Sequence, residues 1–380
     1  MTAIYLDYNA STPIDPSVAA AMRPYLDEAF GNPSSGHWAS TPAKAALEKA
    51  RGQVAALLAS EPDEIVFTSG GSEANNLAIK GTFFALKHKG EHIITTAVEH
   101  PAVLAPCRFL EQLGATVTYL PVDSTGRVEP EAVRRAITPR TILISVMHAN
   151  NEVGTIQPIE EIGAVAREHG IRFHTDAAQS VGKIPTKVDA LGVDLLTIAG
   201  HKLYAPKGIG ALYVRRGVTL EPLIHGAGHE HGRRAGTESA LLAVGLGAAC
   251  TLATDLEPMT GIRRLRDHLW EALQHRFGER IVLNGHPEHR LPNTVSVSFV
   301  GVAGAEVLAK LDGVAASTGS ACHAGRVELS PVLAAMGVPE EIGMGAVRFS
   351  LGRITNEAEI DAVVDQLRTH MLPAESPGGS

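Results

Sequence analysis

Lys202, Asp176, Gln179, His100, Asn151, Cys322 and Arg353 are the residues of this chain whose types and places could do covalent or proton-transfer chemistry. Lys202 ends the stretch DLLTIAGHK, an apolar run closed by a glycine, so part of its stem is expected out of water. A desolvated lysine has a lowered pKa and can form a Schiff base; taken alone, it reads far more readily as a solvated lysine. Asp176 closes the preceding apolar run, RFHTD. A carboxylate near a Schiff-base lysine suits pyridoxal phosphate, whose ring nitrogen needs an acidic partner to stay protonated as an electron sink. The other reading of Asp176 is a helix N-cap. Gln179 lies close behind it and could donate to a ring oxygen. His100 and Asn151 fall on the same rim, where an imidazole can stack on a ring and move protons near neutral pH.

Thr68-Ser69-Gly70-Gly71-Ser72-Glu73-Ala74-Asn75 runs from an apolar stretch through a Gly/Ser turn into a helical pattern. A helix N-terminus with free N–H groups and a hydroxyl at Ser72 makes a phosphate cradle. The motif matches neither GxGxxG nor the Walker A pattern, and an ordinary βα turn is the competing reading. Cys322 lies in STGSACHAG, among small residues and beside His323, a context for a reachable thiolate. Cys107 and Cys250 stand in apolar or alanine-rich stretches and read as inert. Arg353 follows a predicted strand and could clamp a carboxylate through its fork, or simply form a surface ion pair. His-Glu-His at 229–231 lacks the spacing and third ligand of a metal site, so no metal is assigned. His174, His225, His229 and His231 are read as satisfied core histidines.

The elements that must position these groups follow from the pattern. EIVF at 64–67, HIITTAV at 92–98, TILISVM at 141–147, RFHTDAAQ at 172–179 and DLLTIA at 194–199 read as strands, each ending in a polar cluster. Helical stretches at 74–89, 102–114 and 159–169 separate most of them. Alternation of this kind predicts a mostly parallel sheet covered on both faces, with ligands bound outside the carboxyl ends of its strands. The candidate residues sit at those ends. Asp15-Pro16 and Thr41-Pro42 read as helix starts, the first helix running on to Phe30. From residue 256 the pattern changes: a long helix over 261–277, LPNTVSVSF, a helix near 304–311, a small-residue loop around Cys322, strand AVRFSLG, and a last helix opened by a capping box of Asn356 and Glu359.

Composition excludes several classes of function. With 33 Lys+Arg against 41 Asp+Glu the net charge is −8, the wrong sign for a nucleic-acid partner. No apolar run is long enough to span a membrane, and the first residues lack the basic and apolar regions of a signal peptide. Three cysteines without CxxC spacing argue against a disulfide framework and fit a reducing, cytoplasmic setting.

Taken in order along the chain, LDYNASTP, GNPSS, FTSGGSEANN, VEHPAV, MHANNEVGTIQP, HTDAAQ, GHKLYAPKGIGALYVRR, RRAGTES, LPNT, GSAC and RFSLGR resemble the cysteine desulfurases, the NifS/IscS-like group of the class-V aminotransferases, from about Tyr5 to the final helix. The resemblance implies the α/β architecture of fold-type I pyridoxal-phosphate enzymes. A large domain over 16–255 would hold a mostly parallel seven-stranded sheet, and a smaller α+β domain over 256–372 would carry the Cys322 loop. Residues 1–15 would pack with the small domain and 373–380 would form a disordered tail. Pyridoxal 5'-phosphate would be bound by Lys202, paired at its ring nitrogen by Asp176 and at its ring oxygen by Gln179. His100 would stack on it and Asn151 would touch it from the side. Gly71, Ser72 and His201 would hold the phosphate, with Thr237 supplied by the partner subunit of a homodimer.

The same resemblance implies that Arg353 binds the carboxylate of L-cysteine. The Lys202 amine would take the Cα proton, and Cys322 would attack the substrate sulfur. A persulfide on Cys322 and free alanine would result, the sulfur passing on to an acceptor or scaffold protein for iron–sulfur clusters or thiolation. Ala199 replaces a phosphate-contacting serine of many relatives. CHAGRVELSPVLAAMGVPEE and LTIAGHK also look like selenocysteine lyases, which makes release of selenium from selenocysteine the alternative. A pyridoxal-phosphate transaminase or epimerase and a cofactor-free interaction protein are further rivals.

Overall fold

The computed structural model describes residues 3–318, 320–323 and 326–371, with side chains for all of these except 320–323, 326 and 327. Seven strands form the large sheet, in the spatial order 65–68, 210–214, 195–199, 172–176, 141–145, 92–96 and 116–120. Only Gly210–Val214 runs antiparallel to its neighbours; the other adjacent pairs are parallel. Strands such as Leu195–Ala199 and Thr141–Ser145 are buried at every position, as expected for a parallel sheet covered on both faces. The parallel strands all deliver their carboxyl ends to one edge. Asp176, the Gly200–Lys202 turn and the turn at Ser69 therefore meet there by topology.

The first predicted helix ends sooner than its alanine-rich composition suggests. Asp15 caps it through Ser17 N–H and it covers Pro16–Met22, then Pro24 opens a separate turn, Pro24–Asp27. Pro24 has no N–H to continue the ladder, and its ring restricts the residue before it. Helix Gly71–Leu86 starts within the Gly/Ser turn, at Gly71 where the pattern indicated Ala74. The capping box at Asn356 and Glu359 forms with both reciprocal bonds, at 3.0 and 3.1 Å.

The second unit is a four-stranded antiparallel sheet, ordered 317–318, 346–350, 294–299 and 281–284. Helices Pro258–Phe277 and Glu357–Met371 cover it. Leu269, Leu273, Val297, Val347, Phe349 and Val363 share one apolar cluster with Ile4 and Leu6 from the N-terminus. Tyr8 N–H and Ser350 N–H bond across to Ser350 and Leu6 carbonyls, so the N-terminal strand is tied to this sheet. From there residues 9–12 cross to the large sheet, where Thr12 N–H bonds the His201 carbonyl at 2.9 Å. The segment expected as a loop around Cys322 is a short antiparallel hairpin, Ser320–His323 against Arg326–Leu329, with Cys322 opposite Val327. The polar–apolar alternation of Arg326-Val327-Glu328-Leu329 fits that pairing. The Cys322 thiol and the expected disorder of 373–380 lie outside the described residues.

Candidate active site

A cavity of about 680 Å³ opens at the carboxyl edge of the large sheet. Its walls include Gly71, Ser72, His100, Asn151, Asp176, Gln179, His201 and Lys202, eight of the residues singled out from the sequence. Asp176 and Lys202 come from neighbouring parallel strands, Arg172–Asp176 and Leu195–Ala199, the latter passing directly into a short helical turn, Gly200–Lys202. Asp176 is buried; one carboxylate oxygen accepts from Asn75 Nδ2 at 2.6 Å and the other from Ala178 N–H at 3.0 Å. Two donors hold the carboxylate in one orientation.

Lys202 Nζ donates to the Asn9 carbonyl at 2.6 Å and the Ala10 carbonyl at 2.8 Å. Its pKa is pushed down to about 8, first by burial and then by the Arg348 cation, with Asp7 and Asp176 opposing. His100 caps helix Pro101–Glu111: its Nδ1 accepts from Ala102 N–H at 3.1 Å. A neutral ring in that role carries its proton on Nε2. Although the ring is open to the cavity, desolvation by the surrounding walls holds its pKa below the usual imidazole value; Asp176 opposes this and Lys202 adds to it. His201 is pushed down to about 4 by burial and then by Lys202, Lys207 and His100, and its Nδ1 is buried without a protein partner.

The turn before helix Gly71–Leu86 is pinned from two sides. Glu73 accepts from Ser69 N–H at 2.8 Å while Arg234 holds its other oxygen at 2.8 Å. Gly210, on the antiparallel strand, passes so close that a Cβ there would lie 2.7 Å from the Gly70 carbonyl carbon. Ala199 packs against Gly71, where an added Cβ would sit 3.1 Å from the alanine methyl. Its side chain leaves the cavity wall apolar at this point.

Arg353, expected at the substrate carboxylate, lies elsewhere, and Thr237, expected from a partner subunit, lies outside the main cavity of its own chain. Arg353 donates to the Leu252 carbonyl at 2.9 Å and lies over the Tyr204 ring at 5.1 Å. It lines a separate small cavity, not the main one. Among the described residues, the arginine that lines the main cavity is Arg348, paired with Asp7 at 2.7 Å and donating to the Asn151 carbonyl at 2.9 Å. In strand Ala346–Ser350 the apolar Val347 and Phe349 join the small-domain core, so the alternation of a strand turns Arg348 and Ser350 the other way, toward the N-terminal segment. Thr237 lines a neighbouring cavity of about 200 Å³ that shares Ser69, Gly208 and Ile209 with the main one.

Three contributors were not singled out from the sequence. Asn75 is buried one helical turn before Ile79 and two before Thr82, and a polar residue on a buried helix face was the available signal. Asn9 acts largely through its backbone carbonyl, which accepts from Lys202 and from Gln179 Nε2; no side-chain pattern reveals that. Lys183 donates to Gln179 Oε1 and Asn9 Oδ1. Among the four histidines expected in the core, only His174 is fully buried and satisfied, by Ser145 and Thr197. His225 and His231 are exposed and His229 is half-buried. Glu230 is engaged in a buried two-pronged pair with Arg51, both contacts at 2.8 Å, which leaves His-Glu-His without its carboxylate.

The family model of the class-V aminotransferases matches residues 4–363. The chain is 50% identical over 369 residues to cysteine desulfurase IscS of Dictyoglomus turgidum, covering 96% of this chain and 93% of that protein. It is also 50% identical over 371 residues to a cysteine desulfurase of Gluconacetobacter diazotrophicus, with 96% and 92% covered. Among solved structures, a NifS-like protein superposes with a TM-score of 0.91 at 37% identity, covering 97% of this chain and 99% of that one. SspA in complex with cysteine superposes with a TM-score of 0.83 at 41% identity, with 92% and 98% covered. By a family match over nearly its whole length and half of its residues shared with these relatives, the chain belongs to the class-V aminotransferase family, among the cysteine desulfurases.

Proposed function

We propose that this protein is a pyridoxal-phosphate-dependent desulfurase that converts L-cysteine to alanine and retains the sulfur on Cys322 for transfer to an acceptor. The observation that carries the reading is the meeting of Lys202 and Asp176 in one cavity, at the ends of adjacent strands. The residues present suit pyridoxal phosphate. The buried Nδ1 of His201 and Oδ1 of Asn75 lack protein partners, and the Gly71–Ser72 helix start offers N–H donors where a phosphate would lie. Bound there, the cofactor would supply an electron sink for charge developing at the substrate Cα.

The chain's own groups divide the remaining work. Asp176, fixed by Asn75, would meet the ring nitrogen. Gln179 would meet the ring oxygen with the amide N–H that the Asn9 carbonyl leaves free, and His100 would cover the ring face. Lys202, with a pKa near 8, carries a usable fraction of free amine near neutral pH and holds or releases the Cα proton. We assign the substrate carboxylate to Arg348 in place of Arg353, because among the described residues Arg348 is the arginine that lines this cavity. The Cys322 thiolate attacks the substrate sulfur: the sulfur–Cβ bond breaks, a sulfur–sulfur bond forms on Cys322, and Cβ keeps the electron pair and takes a proton to give alanine. Thr237 of a second copy would complete the phosphate site in a homodimer.

The test is reconstitution with pyridoxal phosphate, then turnover of L-cysteine and L-selenocysteine side by side. A borohydride-sensitive visible band and alanine release from cysteine are expected. A colourless protein, or one that turns over selenocysteine alone, overturns the reading.

A further inference from the structure

Lys183 is a buried amine that the mechanism leaves unused. It lies in the turns following strand Arg172–Asp176, 9% exposed, and its Nζ donates to Gln179 Oε1 at 2.8 Å and to Asn9 Oδ1 at 3.2 Å. Both partners are amide oxygens. An amine in either protonation state can make both bonds, and an ammonium can only donate. Gln179 Nε2 points the other way, to the Asn9 carbonyl at 2.9 Å. Turning the Gln179 amide over would set its NH2 against the Lys183 donor and its oxygen against a carbonyl. Lys183 therefore selects one of the two orientations.

The same lysine orders Asn9. Lys183 and Asn293 Nδ2 share the Asn9 Oδ1, which leaves Asn9 Nδ2 to reach the Asn151 carbonyl at 3.2 Å and Thr294 Oγ1 at 2.9 Å. The Asn9 backbone carbonyl is in turn a seat of the Lys202 amine. Gln179 and Lys202 line the main cavity, whereas Lys183 lines the small cavity behind it together with Lys202 and Arg353. The cations that bear on it are Lys202 and Arg348; with burial, they hold its pKa well below that of an ordinary lysine.

We propose that Lys183 is a positioning residue: by donating to Gln179 Oε1 and Asn9 Oδ1 it fixes the amide face that Gln179 turns to the cavity and the carbonyl on which Lys202 rests. The inference rests on the pyridoxal-phosphate reading given above. Its test is the pH titration of the visible band of the reconstituted protein, in Lys183→Met and in the double variant with Gln179→Leu. Lys183→Met should move the midpoint upward by about one pH unit, the size of one charge-assisted hydrogen bond. In the Gln179→Leu background most of that shift should vanish, because coupled residues are non-additive. Lys183→Arg, which keeps a donor-only head, should restore much of the original midpoint. If Lys183→Met does not fold, Lys183→Gln serves, with a shift of the same sign expected. Equal shifts in both backgrounds would show a plain charge effect and overturn the assignment, as would no shift at all. Failure of the unsubstituted protein to take up pyridoxal phosphate would sink the cofactor reading and this inference with it.

Discussion

Replacing Arg348 by lysine should separate the two arginines that flank the end of strand Ala346–Ser350. Arg348 holds its fork between Asp7 and the Asn151 carbonyl at the cavity wall. A lysine there keeps the charge but presents a point donor, so a bound carboxylate loses about one charge-assisted hydrogen bond, ~1.5–3 kcal/mol. At ~1.4 kcal/mol per factor of ten, KM for cysteine should rise roughly ten- to hundredfold. Since the carboxylate is held equally before and during reaction, kcat should change little. Arg348→Met goes further. It removes the cation that helps depress Lys202, so the Lys202 pKa should climb from about 8 toward the ordinary lysine value, and the free-amine fraction at neutral pH should fall. Arg353→Lys provides the contrast: it gives up a bond to the Leu252 carbonyl and a stacking contact on Tyr204, at ~1–2 kcal/mol of stability. It should lower Tm and leave KM alone. Steady-state kinetics of alanine release, with thermal denaturation of each variant, decides the matter. A KM that rises with Arg353→Lys and stays unchanged with Arg348→Lys refutes the assignment.

Asn75→Leu strips Asp176 of its side-chain donor at 2.6 Å. An unpaired buried acceptor costs ~1–3 kcal/mol, so affinity for pyridoxal phosphate should drop about tenfold in an absorbance titration. Acid should unfold the protein through two histidines that burial keeps neutral, His148 with a pKa of about 4 and His174 of about 3. Their folded values lie below the unfolded one, so stability is lost as pH falls below about 6.5, approaching ~2.7 kcal/mol per pH unit for the pair. His174→Asn should flatten the pH dependence of Tm. Glu230→Gln removes the charge that compensates buried Arg51 and weakens the bond from Phe67 N–H, with an expected loss of ~3–5 kcal/mol in denaturant unfolding.

Much of the site was legible because βα alternation sends polar residues to one sheet edge: Asp176 closes a strand, and Gln179, His201 and Lys202 follow one. What escaped was information carried outside that pattern. Arg353 looked suitable as an arginine at a strand end, yet the deciding signal was the two-residue alternation of Val347, Arg348, Phe349 and Ser350, which turns Arg348 to the cavity. Asn9 works through a carbonyl that every residue possesses, and Lys183 through bonds to amides distant in the fold. Pro24 was visible in the sequence, and its missing N–H ends the first helix where alanine content alone would carry it on. His231 reaches the surface where Glu230 turns inward to Arg51, with backbone φ values of 49° and 57° at Glu230 and His231. A histidine count contains no trace of that reversal.

The most direct measurement is the mass of the peptide carrying Cys322 after the reconstituted protein has been given L-cysteine under single-turnover conditions. One added sulfur atom on Cys322, matched by one alanine released, is the expected result. Alanine released with Cys322 unmodified, or the same yield from Cys322→Ser, would contradict the account.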